Sequence, residues 1–541
     1  MNARAKLLLV QLAVVAGVCL FFFFYQLGAF GLVGADEPRY AQIAREMLAR
    51  RDWVVPTLNG APWLEKPVFL YWKMMGSYKI FGVFDWAARI PAAAHASALV
   101  LAIFFFMRRY RKGSELDAAV IAASCAGMIG FGRGASTDML ISAYFAMAML
   151  AWWSWHQTGK KPWLMVFYAL LALGALAKGP VAPALAVLVV GAYAAVRREK
   201  RVLLAGISAP GLLLFSAIVL PWYLAIQHRV PQFFRVFFIE HNLERFGTSR
   251  YQHSQPFWYY IPVFLLATIP WTFFTVPAMV EAVRSLIRRL RGNIQGPDAT
   301  SDELCIFLVV WMIVPVVFFS ISRSKLPGYI LPAIPAAALL TADYLHRLKV
   351  VPRLLVSLHA LLCAVVLLVA LMAPFALVKQ APPAALQLGM TITGAVIAVM
   401  VLLMVRREGL RVLHFVTLVP VILAVAFLLR PAAPTIDRTQ SARAVQARLA
   451  ELGAGEGTVA VFHVKRDVAY GLNFYRNQPI SHYESDGPRD LPSGIPQGKH
   501  FLVARQGSLK EVQEKVGQRA VASLGDFPSQ KLEFFVIGAA Q

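Results

Sequence analysis

The sequence predicts an α-helical membrane protein of many spans, followed by a small α/β domain at its C-terminal end. Three observations predict this class. The 541 residues are 58% hydrophobic and only 15% charged, whereas a soluble chain is about 25% charged. Mean hydropathy is +0.59. Apolar runs close to the roughly 20 residues that a spanning helix needs recur as far as residue 430, and a stretch of alternating strand-like and helical patterns follows.

The first apolar run covers 7–30, just after Arg4 and Lys6. A signal peptide has an apolar segment of only about 7–15 residues. This run is longer, so it reads as a retained helix despite the cleavage-like Val33-Gly34-Ala35. Further runs lie near 88–107, 117–134, 138–156, 163–178, 181–196, 203–224, 258–283, 303–322, 329–346, 353–378, 385–405 and 412–430. Thirteen spans are expected, with very short joints at Gly134–Asp138 and Lys178–Pro180.

Alternate loops are short and basic. They carry Arg108, Arg109, Arg111 and Lys112, then Lys160 and Lys161, then Arg197, Arg198, Lys200 and Arg201. Arg288, Arg289 and Arg291, then His346, Arg347 and Lys349, then Arg406 and Arg407 complete the series. The positive-inside rule puts these loops and the N-terminus in the cytoplasm. An odd number of spans then places the C-terminus outside. The net charge of +24 is therefore topological, with some attraction for anionic lipid or phosphate, and nucleic acid is not an expected partner. Cys19, Cys125, Cys305 and Cys363 all lie in or beside apolar runs with no CxxC spacing. Neither a disulfide framework nor a zinc cage is expected.

The expected organisation is a membrane domain, 1–430, with outer loops at 31–86 and 225–257, and an outer α/β domain, 431–541. The last has strand-like runs at 458–463, 499–505 and 531–538, with a helical pattern at 441–453. It has no Gly-rich phosphate loop and no metal-ligand spacing. A structural or lid role is its default reading.

Charge collects on the outer face. In the first loop Tyr40, Ile43, Ala44, Met47 and Leu48 follow one helix face, with Gln42, Arg45 and Glu46 opposite. An amphipathic helix at headgroup level is expected there, and a second from Pro67 onward. Asp36 and Glu37 open the first of these helices, where acidic residues serve as caps. Capping does not account for both acids, nor for Arg39, Glu65 and Lys66 in the same loop. Other outer loops add Arg133 and Asp138, then Lys178, then His241, Glu244, Arg245, Arg250 and His253, then Arg323, Lys325 and Tyr329. Ionisable groups this close to membrane depth are costly and usually face a cavity.

On these residues the chain resembles lipid-phosphate-dependent glycosyltransferases of the GT-C class. The shared features are Asp36-Glu37 after the first span, NGAPWLEKP, Asp138, LAKGP and SKLPGYILP, in this order and spacing. Within the class it is most similar to aminoarabinose (4-amino-4-deoxy-L-arabinose) transferases that modify lipid A, and also to bacterial relatives of protein O-mannosyltransferases. The motifs cover about residues 1–350; beyond that the likeness is one of architecture.

The resemblance implies a polytopic GT-C fold and a transfer at the outer face of the inner membrane. The donor would be an undecaprenyl-phosphate-linked sugar, and the acceptor lipid A or another envelope component. It implies Asp36, Asp138 and Glu65 as catalytic candidates. Arg39, Lys66, Arg245, Lys325 and Tyr329 are implied as the phosphate-binding set. Trp63 departs from the family pattern, where Tyr is frequent. No cofactor is required, although Glu65 and His253 offer a mixed oxygen–nitrogen pair for a divalent ion. The chemistry suits these residues: negative charge grows on the leaving phosphate, and fixed cations aimed at it lower the barrier. A flippase remains a rival from another class, against which stand the lack of a clear internal repeat and the concentration of charge on one face. A scaffold role leaves the outer charges without a reason.

Overall fold

The computed structural model describes residues 3–244, 255–291, 301–348, 352–488 and 490–539. Local signals set the helix ends. Helix Lys161–Lys178 has Pro162 in its first turn and stops at Gly179, whose φ is +89°. Ser136 caps helix Thr137–Thr158, its side chain accepting from the Asp138 N–H at 3.4 Å. These two ends matter because each carries a charged residue into the site.

Among the described residues nine helices are long and apolar enough to cross a membrane, or ten if the bent pair Glu115–Ser124 and Ala126–Gly132 is one span. All thirteen expected runs fall on helices. The difference lies in Thr137–Thr158, Val181–Arg197 and the run 258–283, which fall short in length or hydropathy. The last of these is broken into Tyr260–Ala267 and Thr272–Leu290. The first helix, Ala3–Cys19, continues as a π turn through Leu20–Phe24 and ends there, short of residue 30.

The first loop forms the two expected helices, Asp36–Arg50 and Phe69–Phe81. A two-stranded hairpin, β1 (Thr57–Leu58) and β2 (Ala61–Pro62), lies between them. Tyr40, Ile43, Ala44 and Met47 are buried as their spacing predicts. The Tyr78 hydroxyl donates to the Ala41 carbonyl at 3.2 Å and ties the two helices together. The polar face is also covered. Glu46 accepts from the Thr57 hydroxyl and the Asn59 N–H, each at 2.8 Å, and Arg45 donates to the Phe474 carbonyl at 3.0 Å.

Phe474 belongs to the C-terminal domain. Its five-stranded sheet runs in the order β4–β3–β5–β7–β6, from β3 (Val459–Phe462), β4 (Ser481–His482), β5 (His500–Arg505), β6 (Val521–Phe527) and β7 (Leu532–Ile537). β3 pairs in parallel with β4 and β5, while β7 is antiparallel to β5 and β6. The domain is seated on the first loop by directional contacts. Asp437 accepts from the Gly31 N–H at 2.7 Å, the Tyr475 hydroxyl accepts from the Leu32 N–H at 2.8 Å, and Arg443 pairs with Asp85 at 3.0 Å. One apolar core runs from the spanning helices through Tyr40, Met47 and Leu70 into Val445, Leu449 and Leu472.

Candidate active site

A cavity of about 320 Å³ opens where the first loop meets the ends of several helices. Ile141, Val181, Leu185, Phe318 and Phe319 give it apolar walls, and Glu65, Lys66, Asp138, Lys178, His241 and Tyr329 bring polar groups into it. A largely apolar pocket with a few convergent polar groups is the usual form of a small-molecule site.

Asp138 and Lys178 arrive from the two short joints. Asp138 sits in the first turn of helix Thr137–Thr158 and Lys178 in the last turn of helix Lys161–Lys178. Their side chains pair directly, the Lys178 ammonium donating to Asp138 Oδ1. The same ammonium lies 4.8 Å from the centroid of the Tyr329 ring. The chain passes very close here: a Cβ on Gly328 would lie 2.8 Å from Asp138 Cγ and 2.8 Å from Phe131 Cε1. Only glycine fits this approach.

Glu65 and Lys66 line the same cavity from the first loop. Glu65 Oε1 is 3.8 Å from His241 Nε2. His241 is thus the imidazole that meets Glu65 among the described residues. His253, the expected partner for a metal, lies outside them, as do Arg245 and Arg250. Glu65 and His241 give two ligands where a zinc site uses three or four protein ligands. Among the described residues no group of three or more His, Cys, Asp or Glu is placed to hold a metal ion.

The two adjacent acids separate in role. Glu37 is buried and works as a structural hub. Its carboxylate lies 2.7 Å from Arg89 Nη2 and accepts from the Val33 N–H at 2.8 Å and the Ala135 N–H at 2.6 Å. Arg89 completes the knot by donating to the Leu27, Phe30 and Gly31 carbonyls at 2.8–2.9 Å. Neither acid caps the helix through its side chain in the ordinary way, since residue Ala35 occupies the cap position with no side-chain hydrogen bond.

Asp36 is half-exposed and pairs with Arg39, one turn along. Neither lines the 320 Å³ cavity; Glu65 links the two regions, because its charge acts on Arg39. The Arg39 guanidinium is enclosed by Tyr40, Trp63 and Tyr470, with ring centroids at 5.5, 4.8 and 5.3 Å. Burial acts to lower its pKa, but Tyr40, Asp36, Glu65 and Tyr470 together hold it well above the ordinary value.

Lys325 is placed differently from Lys66 and Tyr329, which line the charged cavity. It is buried and donates to the Ser322 carbonyl at 2.5 Å. It borders a neighbouring open groove of about 810 Å³, with Trp258 and Arg323, rather than the charged cavity. Tyr470, His241 and Lys178 are the site neighbours to which sequence reasoning gave no role, although it singled out Lys178 as facing a cavity. His241 stood in the outer loop set without a role, and Tyr470 carried no motif.

Fold and site together define a multi-pass membrane protein with a C-terminal α/β domain and a charged cavity beside its first loop. Residues 65–224 match the family model described as dolichyl-phosphate-mannose-protein mannosyltransferase. Among curated proteins, the chain is similar to the undecaprenyl phosphate-alpha-4-amino-4-deoxy-L-arabinose arabinosyl transferase of Serratia proteamaculans. The identity is 35% over 317 residues, 57% of this chain and 54% of the relative. The protein of the same description from Aeromonas hydrophila is 33% identical over 372 residues, 66% of this chain and 65% of the relative. The chain therefore spans between about half and two thirds of the length of these relatives. Its fold matches the crystal structure of ArnT from Cupriavidus metallidurans bound to undecaprenyl phosphate, with a TM-score of 0.77 at 22% identity, over 99% of this chain and 98% of that one. The apo form of the same ArnT matches at 0.76.

Proposed function

We propose that the protein transfers a sugar from undecaprenyl phosphate to an acceptor at the outer face of the bacterial inner membrane. The sugar is aminoarabinose and the acceptor a phosphate of lipid A. The N-terminus is cytoplasmic and the C-terminal domain periplasmic. The observation that carries this reading is the convergence of Lys66, Lys178, Asp138, Glu65 and Tyr329 on one apolar-walled cavity. The shared description of the curated relatives supports the substrate assignment.

In the reaction the bond between the anomeric carbon and the donor phosphate oxygen breaks, and undecaprenyl phosphate leaves. A new bond forms from the same carbon to an acceptor oxygen. Charge on the leaving phosphate is met by Lys66 and Lys178. Opposite unit charges 4 Å apart interact by about 4 kcal/mol at an effective dielectric of 20, before desolvation. Asp138 holds the Lys178 ammonium towards Tyr329 and the cavity. A phosphate acceptor is already ionised and needs no general base. Asp36 then stabilises positive charge developing on the sugar, and Arg39 offsets its repulsion of the acceptor.

The mannosyltransferase family match favours a second reading, transfer of a mannose-type sugar to a protein hydroxyl. Asp36 would there take the hydroxyl proton as general base. Mass spectrometry of lipid A and of envelope glycoproteins, from cells with and without the gene, separates the two. An aminopentose added to lipid A supports the first reading. Unchanged lipid A with altered glycoproteins supports the second.

A further inference from the structure

The C-terminal domain meets Arg39 through the face of Tyr470. Three rings from separate parts of the chain surround the Arg39 side chain, which is only 12% exposed. Tyr40 comes from the same helix, Trp63 from the loop before Glu65, and Tyr470 from helix Arg466–Arg476 of the C-terminal domain. Tyr470 is itself fixed. It is buried, and its hydroxyl donates to Asp490 Oδ2 at 2.6 Å. Asp490 is anchored in turn to the first loop, its carbonyl accepting from Asn59 Nδ2 at 3.0 Å. Asn473, also on helix Arg466–Arg476, donates to Asn59 Oδ1 at 2.9 Å.

One nitrogen, Nη2, holds Asp36, and among the described residues the buried Nε makes no hydrogen bond. The three rings therefore pack around the guanidinium whose Nη2 meets Asp36. We propose that Tyr470 is a positioning residue: through its ring the C-terminal domain holds Arg39, and through Arg39 it sets the orientation of Asp36 at the site. The domain is thereby a working part of the site. This inference rests on the proposed transfer reaction for its effect on turnover, and on geometry alone for its effect on Arg39.

The test uses the full-length protein with Tyr470→Leu, which keeps apolar volume and loses the ring face, and Tyr470→Phe, which keeps the face. Two quantities are read: the rate at which phenylglyoxal modifies Arg39, followed by peptide mass spectrometry, and kcat and KM for the lipid-phosphate sugar donor. Loss of a largely desolvated cation–π contact predicts for Tyr470→Leu a roughly tenfold faster modification and a roughly tenfold lower kcat, with donor KM changed less than about threefold. Tyr470→Phe restores both quantities to near wild type. Wild-type labelling and kcat in Tyr470→Leu overturn the proposal. So does a Tyr470→Phe variant as impaired as Tyr470→Leu, which would assign the effect to the hydroxyl anchor. If Tyr470→Leu does not fold, Tyr470→Met is read in the same way. A wild-type protein that labels slowly yet transfers no sugar overturns the reaction, while the labelling ratio still decides the placement of Arg39.

Discussion

Glu37 and Arg89 form a buried ion pair, 2.7 Å apart, between the helix that opens the first loop and the spanning helix Asp85–Tyr110. The carboxylate and guanidinium also collect backbone groups from residues 27–33 and from Ala135. Removing one partner leaves the other charge buried and unpaired, at a cost of about 3–5 kcal/mol. Glu37→Ala is expected to lower the thermal denaturation midpoint in detergent by several degrees. The double change Glu37→Ala with Arg89→Met recovers part of that loss. An unchanged midpoint in Glu37→Ala contradicts a structural role.

Lys66 lines the charged cavity from the first loop, ahead of helix Phe69–Phe81. Lys66→Ala is expected to weaken binding of undecaprenyl phosphate by about tenfold or more, consistent with loss of a charge-assisted contact. Titration of the purified protein with undecaprenyl phosphate in nanodiscs measures this. Wild-type affinity in the variant removes Lys66 from the phosphate site.

Gly328 packs against Asp138 with no room for a methyl group. Gly328→Ala should displace Asp138 from Lys178 and lower turnover by about tenfold or more, since a displacement of about 1 Å can cost a hundredfold. The midpoint of denaturation should fall modestly. Turnover equal to wild type would show that the Asp138–Lys178 geometry is not required.

Asp52 joins the first loop to helix Ala209–Arg229. Its carboxylate meets Arg229 Nη1 and Nη2 at 2.8 and 3.0 Å. Burial acts to raise its pKa, but the Val54 and Val55 N–H groups and Arg229 outweigh burial and hold it below the usual carboxylate range. A depressed folded-state pKa gives stability that is present above the unfolded value of about 4 and is lost as pH falls through the folded value. Asp52→Asn should therefore be less stable than wild type at pH 7, and the difference should shrink in acid. A difference that does not change with pH would remove Asp52 from this account.

The spanning helices were legible because long apolar runs and basic loops leave few alternatives. Asp138 and Lys178 stood out because ionisable groups near membrane depth usually face a cavity, and both line one. The division of labour between Asp36 and Glu37 was not. It depends on Arg89, far along the chain and inside an apolar helix. In the C-terminal domain β3, β5 and β7 were visible as apolar runs. β4 has two residues, and β6 is an edge strand with only one buried residue and a bulge at Ser523–Gly525, so neither carries a period-two apolar signal. Tyr470 was invisible for a further reason: an aromatic on an amphipathic helix reads as core until its neighbour proves to be Arg39.

The measurement that tests the central claim most directly is transfer by the purified protein in proteoliposomes. The liposomes contain undecaprenyl-phosphate-linked aminoarabinose and lipid A, and the product is read by mass spectrometry. Wild type is expected to add one aminopentose to lipid A. Asp36→Asn, inserted and folded normally, should lose about a hundredfold or more of that rate, the scale of removing one electrostatic stabiliser. Lipid A left unmodified by the wild type, or modified equally by Asp36→Asn, would contradict the account.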